Sequence, residues 1–406
     1  MSLRVCKGVF TGALGTGNQT ISGVADGDGS FTPTMVLVWT TYQTAAGYTD
    51  EHIFQMGWAD ANRSRTFYGR SSDNDSANDC DRSNDATNLI LVRNLAGTNV
   101  RVATWVSFGS DQFVINWSTV DAVAAIWHFV AIAGTDVTAH VTSMPSDTLV
   151  PVNEYTFAPV AGFLSDVVGA GDGGCTHPAL GWFAQQGTAS QQGSAAICVE
   201  DAQVTSDTWR YQRTVRCSSV LSASTGALVN DQSYGLLGIR NDSVTSATTL
   251  YLAALGGIQA MAGSGLQPGT TGTQAISGLG FTPKLVFLLS VGTTAQTTVQ
   301  TETRWSLGAA TGLAQGRSWF GATDAVNPSV TARGHSISVV ITSATPNATG
   351  SSTAVTAEAA LQSLDVDGFT LNWTTADATA REYLWLAMGD AEEEAVSGEH
   401  SHVFCG

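Results

Sequence analysis

Five aspartates crowd one short stretch of this chain: Asp73, Asp75, Asp79, Asp81 and Asp85, with Asn74, Asn78 and Asn84 among them. Calcium takes about six to eight oxygen ligands, and carboxylates at this density could supply them. The spacing lacks the glycine and the terminal glutamate of an EF-hand loop. A solvated acidic insertion is therefore the expected reading, and a calcium loop built on Asp73, Asp75, Asp79 and Asp81 the alternative. Near the C-terminus, Glu399-His400-Ser401-His402-Val403-Phe404-Cys405 offers two imidazoles and a thiol. On an extended chain His400 and His402 share one face, so several copies around a symmetry axis could complete a metal site that one tail alone would hold weakly. Gly169 to Gly174 satisfies G-x-G-x-x-G, but Cys175-Thr176-His177-Pro178 follows where a helix N-terminus would have to hold a pyrophosphate. Proline cannot extend a helix already begun, so this reads as a Gly-rich loop. His52 and His177 precede Gly57-Trp58 and Gly181-Trp182, whereas Arg304-Trp305 stands before Gly308. None of these has a partnered nucleophile in sequence, and G-x-S-x-G, H-E-x-x-H and Walker motifs are absent. No catalytic residue, no confident metal ligand and no cofactor is expected, and the chain does not read as an enzyme.

The elements that would position such residues repeat. Thr16-Gly17-Asn18-Gln19-Thr20-Ile21-Ser22-Gly23 returns as Thr271-Gly272-Thr273-Gln274-Ala275-Ile276-Ser277-Gly278. Ile115-Asn116-Trp117-Ser118-Thr119 returns at nearly the same offset as Leu371-Asn372-Trp373-Thr374-Thr375. Phe31-Thr32-Pro33 and Phe281-Thr282-Pro283 bracket Phe157-Ala158-Pro159, and Tyr251-Leu252-Ala253-Ala254-Leu255-Gly256 lies between two similar apolar endings, one after Trp127 and one around Trp385. A fixed internal period settles architecture before single residues do. Three modules of roughly 125 residues, an ordinary domain size, are expected over 1–136, 137–257 and 258–392, with a tail over 393–406. The middle copy is the most eroded, with Tyr234-Gly235-Leu236-Leu237-Gly238 standing where the others carry Asn-Trp.

Within a module the hydrophobic period is two. Val36-Leu37-Val38-Trp39 and Leu285-Val286-Phe287-Leu288-Leu289 are short apolar runs of the kind buried on both faces, and Ile90-Leu91-Val92, Val100 to Trp105, Ile337 to Ile341 and Phe369 to Trp373 alternate or are β-branched. The connections are rich in Gly, Ser, Asn, Asp and Pro. Ala357 to Leu364 has helical propensity over only about two turns. The expected fold is all-β: three tandem, divergent β-sandwich or jelly-roll-like modules of similar topology. Trp117, Trp127, Trp373 and Trp385 recur between copies and read as core aromatics, Trp127 matching Trp385; Trp39, Trp58 and Trp319 could instead be surface platforms for sugar rings.

Composition narrows the partners. Charged residues are 13% of the chain, glycines number 43, and the formal net charge is −17. That balance opposes nucleic-acid phosphate and anionic membrane surfaces, so neither nucleic acid nor membrane insertion is expected. It favours solubility at high local concentration. Met1 to Lys7 lacks an apolar signal core, and the reading is of a protein made in a cytosol and released, if at all, without a signal peptide. Six cysteines show no C-x-x-C spacing. Cys6 and Cys405 lie near the two ends, so a Cys6–Cys405 bridge and free thiols in a reducing compartment are both open, the latter being the expected state.

The third module carries Gly280-Phe281-Thr282-Pro283-Lys284-Leu285-Val286-Phe287, Arg317-Ser318-Trp319-Phe320-Gly321, Asp367-Gly368-Phe369-Thr370-Leu371-Asn372-Trp373 and Tyr383-Leu384-Trp385-Leu386-Ala387-Met388-Gly389. Together these resemble β-sandwich modules of tailed-bacteriophage virion proteins. The third module carries the pattern best, the first well, the second poorly. The resemblance implies a virion location and a structural role: head decoration, collar, tail or fibre. The expected activity is protein–protein docking with other virion proteins, with self-association. The alternative is a carbohydrate-binding adhesin of a tail or head fibre that grips host surface glycans. Recurrence of apolar and turn residues, with divergent loops, favours the structural role.

Overall fold

The computed structural model describes residues 2–72, 80–145, 159–167, 179–186, 189–199, 208–214, 216, 218–221, 228–235, 238–244, 249–296, 298–324, 330–346 and 353–392. Every regular element among them is a strand. The first module holds β1 (Leu3–Thr11), β2 (Gly17–Ser22), β3 (Ala25–Asp26), β4 (Gly29–Ser30), β5 (Met35–Thr40), β6 (Gly47–Asp50), β7 (His52–Asp60), β8 (Ser64–Ser71), β9 (Cys80–Asp85), β10 (Ile90–Arg93), β11 (Asn99–Gly109), β12 (Gln112–Thr119) and β13 (Ile126–Gly134). The second holds β14 (Thr138–Pro145), β15 (Ala161–Val167), β16 (Ala179–Gln186), β17 (Ala189–Val199), β18 (Thr208–Arg213), β19 (Ser218–Leu221), β20 (Leu228–Gly235), β21 (Gly238–Val244) and β22 (Thr249–Gly256). The third holds β23 (Ile258–Leu266), β24 (Gly272–Ser277), β25 (Pro283–Ser290), β26 (Gln300–Thr301), β27 (Thr303–Thr311), β28 (Gln315–Ala322), β29 (Thr331–Ser336), β30 (Ile341–Pro346), β31 (Thr353–Asp365), β32 (Gly368–Thr375) and β33 (Glu382–Asp390).

The modules share one topology. The first pairs its strands as β1-β13-β5-β7-β8-β9 and β10-β11-β12-β2; the third repeats this as β23-β33-β25-β27-β28-β29 and β30-β31-β32-β24. The second follows with β14-β22-β15-β16-β17-β18 and β19-β20-β21. The chain is all-β and built of sandwich-like modules. In the large sheets the middle strands bury both faces, which is why β5 and most of β25 read as unbroken apolar runs.

The repeated sequence motif has a local reason. Gly17 and Gly272 take φ of 111° and 133°, and Gly23 and Gly278 take 81° and 88°, a region that side chains rarely enter. Between them Gln19 and Gln274 accept the indole N–H of Trp117 and Trp373 at 2.7 and 2.9 Å. Their amide nitrogens donate to the carbonyls of Thr11 and Leu266. The glutamine thus satisfies a buried tryptophan and ties β2 or β24 to the end of the module's first strand.

Register corrects three expectations. Inward-facing Val130 and Ile132 pair with β5 as Leu386 and Met388 pair with β25, so Trp127 corresponds to Tyr383, and Trp385 to Phe129. Tyr234 and Gly235 end β20 and Gly238 opens β21, with Leu236 and Leu237 outside the described residues; counted from the Gly235–Gly238 pair, Ser243 falls at the position of Trp117. Ala357 to Leu364 is strand, inside β31, because pairing on both sides with β30 and β32 overrides helical propensity.

The three large sheets turn their inner faces to one another. Leu37, Trp39 and Ile132 from the first module, Phe163, Ala253 and Leu255 from the second, and Phe287, Leu386 and Met388 from the third belong to one buried cluster. The rings of Phe163 and Phe287 meet edge to face at 4.9 Å, and Trp39 lies 6.5 Å from Phe287. The outer faces pack on the small sheets, around Trp117 and Trp373. The modules therefore close around an axis like a trimer fused into one chain, and do not lie in a row.

Two short strands cross module boundaries. From the first module, β6 adds to the edge strand β29 of the third; from the third, β26 adds to the edge strand β18 of the second. Each arm ends at a glutamate with positive φ, Glu51 at 66° and Glu302 at 61°. Glu51 accepts Arg333 of the edge it has joined at 3.2 Å and Arg70 at 3.0 Å. Glu302 accepts Arg304 at 2.8 Å, and its carbonyl accepts Arg210 at 2.7 Å. Such additions cover sheet edges that would otherwise present unpaired backbone groups.

Candidate functional site

Of the residues singled out by chemistry in the sequence, those among the described residues do not converge. Asp73, Asp75 and Asp79 lie outside the described residues, as do Gly169 to Gly174, His177, His400, His402 and Cys405. Asp81 is buried in β9 and pairs with Arg93 at 2.9 Å, so it is a structural carboxylate and not part of a solvated insertion. Asp85 caps the following turn, its Oδ1 accepting the backbone amides of Thr87 and Asn88 at 2.7 and 2.8 Å. Those bonds help to hold its carboxyl below the usual range against the opposing effect of burial. Cys6 is a buried free thiol whose Sγ lies 3.8 Å from the Gly23 carbonyl oxygen. Trp39, Trp58 and Trp319 are fully buried, so the surface-platform alternative for them is withdrawn. Trp117, Trp127, Trp373 and Trp385 are core residues as well. Among the described residues no group of three or more His, Cys, Asp and Glu side chains is placed to hold a metal ion.

Two features that sequence reasoning did not reach stand out instead. One is an apolar surface on the third module. The β27–β28 hairpin ends in Leu313, 72% exposed, near Ile337, 57% exposed; Val366 at the β31–β32 turn is 84% exposed. Beside Leu313 open two cavities. One, of about 310 Å³, lies between the first and third modules, floored by Val5, Pro283 and Leu364 and rimmed by Asp26 and Lys284. The other, of about 400 Å³, is lined by Ile337, Leu361 and Leu364. In the first module the equivalent positions carry Asn62, Ala86 and Ser110. There the β7–β8 hairpin turns its polar groups onto the second module, where Asp60 Oδ2 accepts the Val141 amide at 2.6 Å. These apolar residues thus set the third module apart from the first, and comparison of those two copies was the signal that could have found them.

The other is a buried polar cluster where the third module meets the first. Lys7 on β1 donates to His128 Nδ1 on β13 at 2.9 Å, and the His128 ring stacks on Trp39. His335 on β29 meets His128 edge to face, with ring centroids 5.5 Å apart. Gly316 on β28 leaves the space for both: a methyl group there would sit 2.8 Å from Lys7 Nζ and 3.0 Å from His128 Cε1. Arg317 on β28 donates to Thr342 at 2.7 Å and to the Tyr48 hydroxyl at 2.8 Å, and pairs with Glu358 at 3.5 Å. Burial drives the Lys7 ammonium down to about 7. It also holds His128 well below its usual value, assisted by the positive charges of Lys7, His335 and Arg317. His335 is pushed down to about 4, by burial first and Arg317 next. A lone histidine in the apolar run Trp127 to Ala133, and a lysine in the apolar start of β1, were the signals available.

The described residues contain no helix long and apolar enough to cross a membrane. Comparisons with protein-family models, with curated proteins and with solved structures find no match to this chain.

Proposed function

We propose that the chain is a structural component of a tailed-bacteriophage virion, acting as a preassembled trimer that docks on other virion proteins. The observation that carries this reading is the common axial core. Three modules of one topology share it, and the second and third each have a sheet edge covered by an arm from a neighbour, an arrangement suited to a rigid adaptor. Fusion into one chain lets the copies differ, and the apolar Leu313, Ile337 and Val366 mark the third module as the docking face. Burial of the tryptophans that could have stacked on sugar rings removes the main support for the adhesin reading.

Docking would bury upwards of about 1,000 Å². The test is incorporation of purified protein into particles assembled without it, read by electron microscopy and by pull-down. Leu313→Asp with Ile337→Asp should weaken incorporation by about 3–6 kcal/mol, the transfer free energy of two large apolar side chains. Unchanged incorporation would remove the docking face. Clear glycan-array binding by a protein that stands free on the particle would replace the reading with the adhesin.

A further inference from the structure

We propose that the joint between the third and first modules is an acid-operated latch: protonation of His128 and His335 parts β1 and β13 from β28 and β29 and opens the ring there. Chain continuity spans the other two joints, through Thr135–Val137 and through Gly257, but not this one. The proposal is independent of what the protein docks on.

The three joints have the same geometry and different chemistry. At the joint of the first module with the second, the Arg65 guanidinium lies 5.8 Å from the Tyr251 ring. At the next joint, a methyl group at Gly193 would meet Leu384 at 3.1 Å. At the third, Gly316 faces His128. Arg65, Gly193 and Gly316 are equivalent by register, as are Tyr251, Leu384 and His128. Where Lys7 stands, the other joints carry Val141 and Ala262. Where His335 and Arg317 stand, the first module has Asn84 and Thr66 and the second has Gln212 and Ser194. Two facing imidazoles and a buried amine are thus gathered at the one joint that no linker spans, whereas the joint of the first module with the second carries a single half-buried imidazole, His140 on β14, beside Asp60, Arg63 and Arg65.

The groups facing one another there are Lys7 on β1, His128 on β13, Arg317 on β28 and His335 on β29, with Tyr48 on β6 and Glu358 on β31 both engaged by Arg317. With Nδ1 accepting from Lys7, neutral His128 carries its proton on Nε2, which has no hydrogen-bond partner. A second proton at Nδ1 would set an N–H against the lysine donor inside a dry joint. Opening restores water to both rings and lets them titrate near their ordinary value of about 6.5. Both are depressed when closed, so acid favours the open form from about pH 6.5 downward, ending for His335 near pH 4. Lys7 adds to this only above about pH 7, where the open form alone is charged. The β6–β29 ladder keeps the modules tethered, so the opening is local.

Hydrogen exchange on the full chain from pH 7.5 to 4 tests the latch. Protection in β1, β13, β28 and β29, corrected for intrinsic rate, should fall by up to about tenfold per pH unit for each imidazole, while β23, which carries no titratable side chain, stays protected. His335→Gln, which copies Gln212, should lower the slope by one proton. Lys7→Val with His128→Leu, copied from the other joints, should leave at most the His335 contribution. Loss of protection at all three joints together, or an unchanged slope in His335→Gln, would overturn the proposal. His335→Gln decides the matter alone if the double variant does not fold.

Discussion

At the residue scale, the Trp–Gln pair explains why two otherwise unremarkable motifs recur. Trp117 and Trp373 fill the space between the sheets, and the glutamine on the neighbouring strand satisfies an indole N–H that burial would leave unpaired. Trp373→Ala should destabilise the protein by about 3–5 kcal/mol in denaturant titration, as loss of a buried aromatic does. Gln274→Ala keeps the ring but orphans its N–H and the Tyr383 hydroxyl that donates to the same oxygen at 3.0 Å, and should cost about 1–3 kcal/mol. A cost below about 0.5 kcal/mol would show that water replaces the glutamine. These residues were legible because a cap and its tryptophan repeat together. Trp39 and Trp58 were not, because their burial depends on modules far away in sequence.

At the element scale, glycines set how closely the two sheets of a module approach. Gly57 on β7 and Gly308 on β27 occupy the same register, and a methyl group at either would lie 2.0 or 1.8 Å from the carbonyl oxygen of Leu89 or Val340. Backbone cannot yield as a flexible side chain can. Gly308→Ala should therefore cost about 4–5 kcal/mol, near the top of the range for single substitutions, and a loss under about 1 kcal/mol in thermal unfolding would mean that the sheets can part. Sequence comparison does show these glycines as recurring before or after tryptophan. The exchanged arms β6 and β26 were not legible, since two to four polar residues carry no hydrophobic period.

At the scale of the whole molecule, every module gives part of its buried apolar side chains to the shared axis. The third module produced alone would expose Leu285, Phe287, Leu386 and Met388, and is expected to aggregate or bind a hydrophobic dye; a soluble, cooperatively folded fragment would contradict the common core. The Leu3 amide donates to Asp390 Oδ1 at 2.7 Å, so the first and last strands end side by side. A permutant with the termini joined by a short flexible linker and the chain opened at Gly257 should fold with the same core and a melting temperature within a few degrees. Failure to fold would mean that the order of the modules in the chain matters as well as their contacts.

The sequence by itself determined the class of structure: period-two patterning, Gly and Asn turns and a repeated Trp–Gln motif require antiparallel sandwiches in three copies, because each feature acts over a few neighbouring residues or one cross-strand pair. Only the tertiary structure decided that the copies close around an axis, that two arms cross between modules, and that Lys7, His128 and His335 meet. Those contacts join residues far apart in sequence, 90 positions even for β26 on β18, and an apolar strand face looks the same in sequence whether it meets its own module or another.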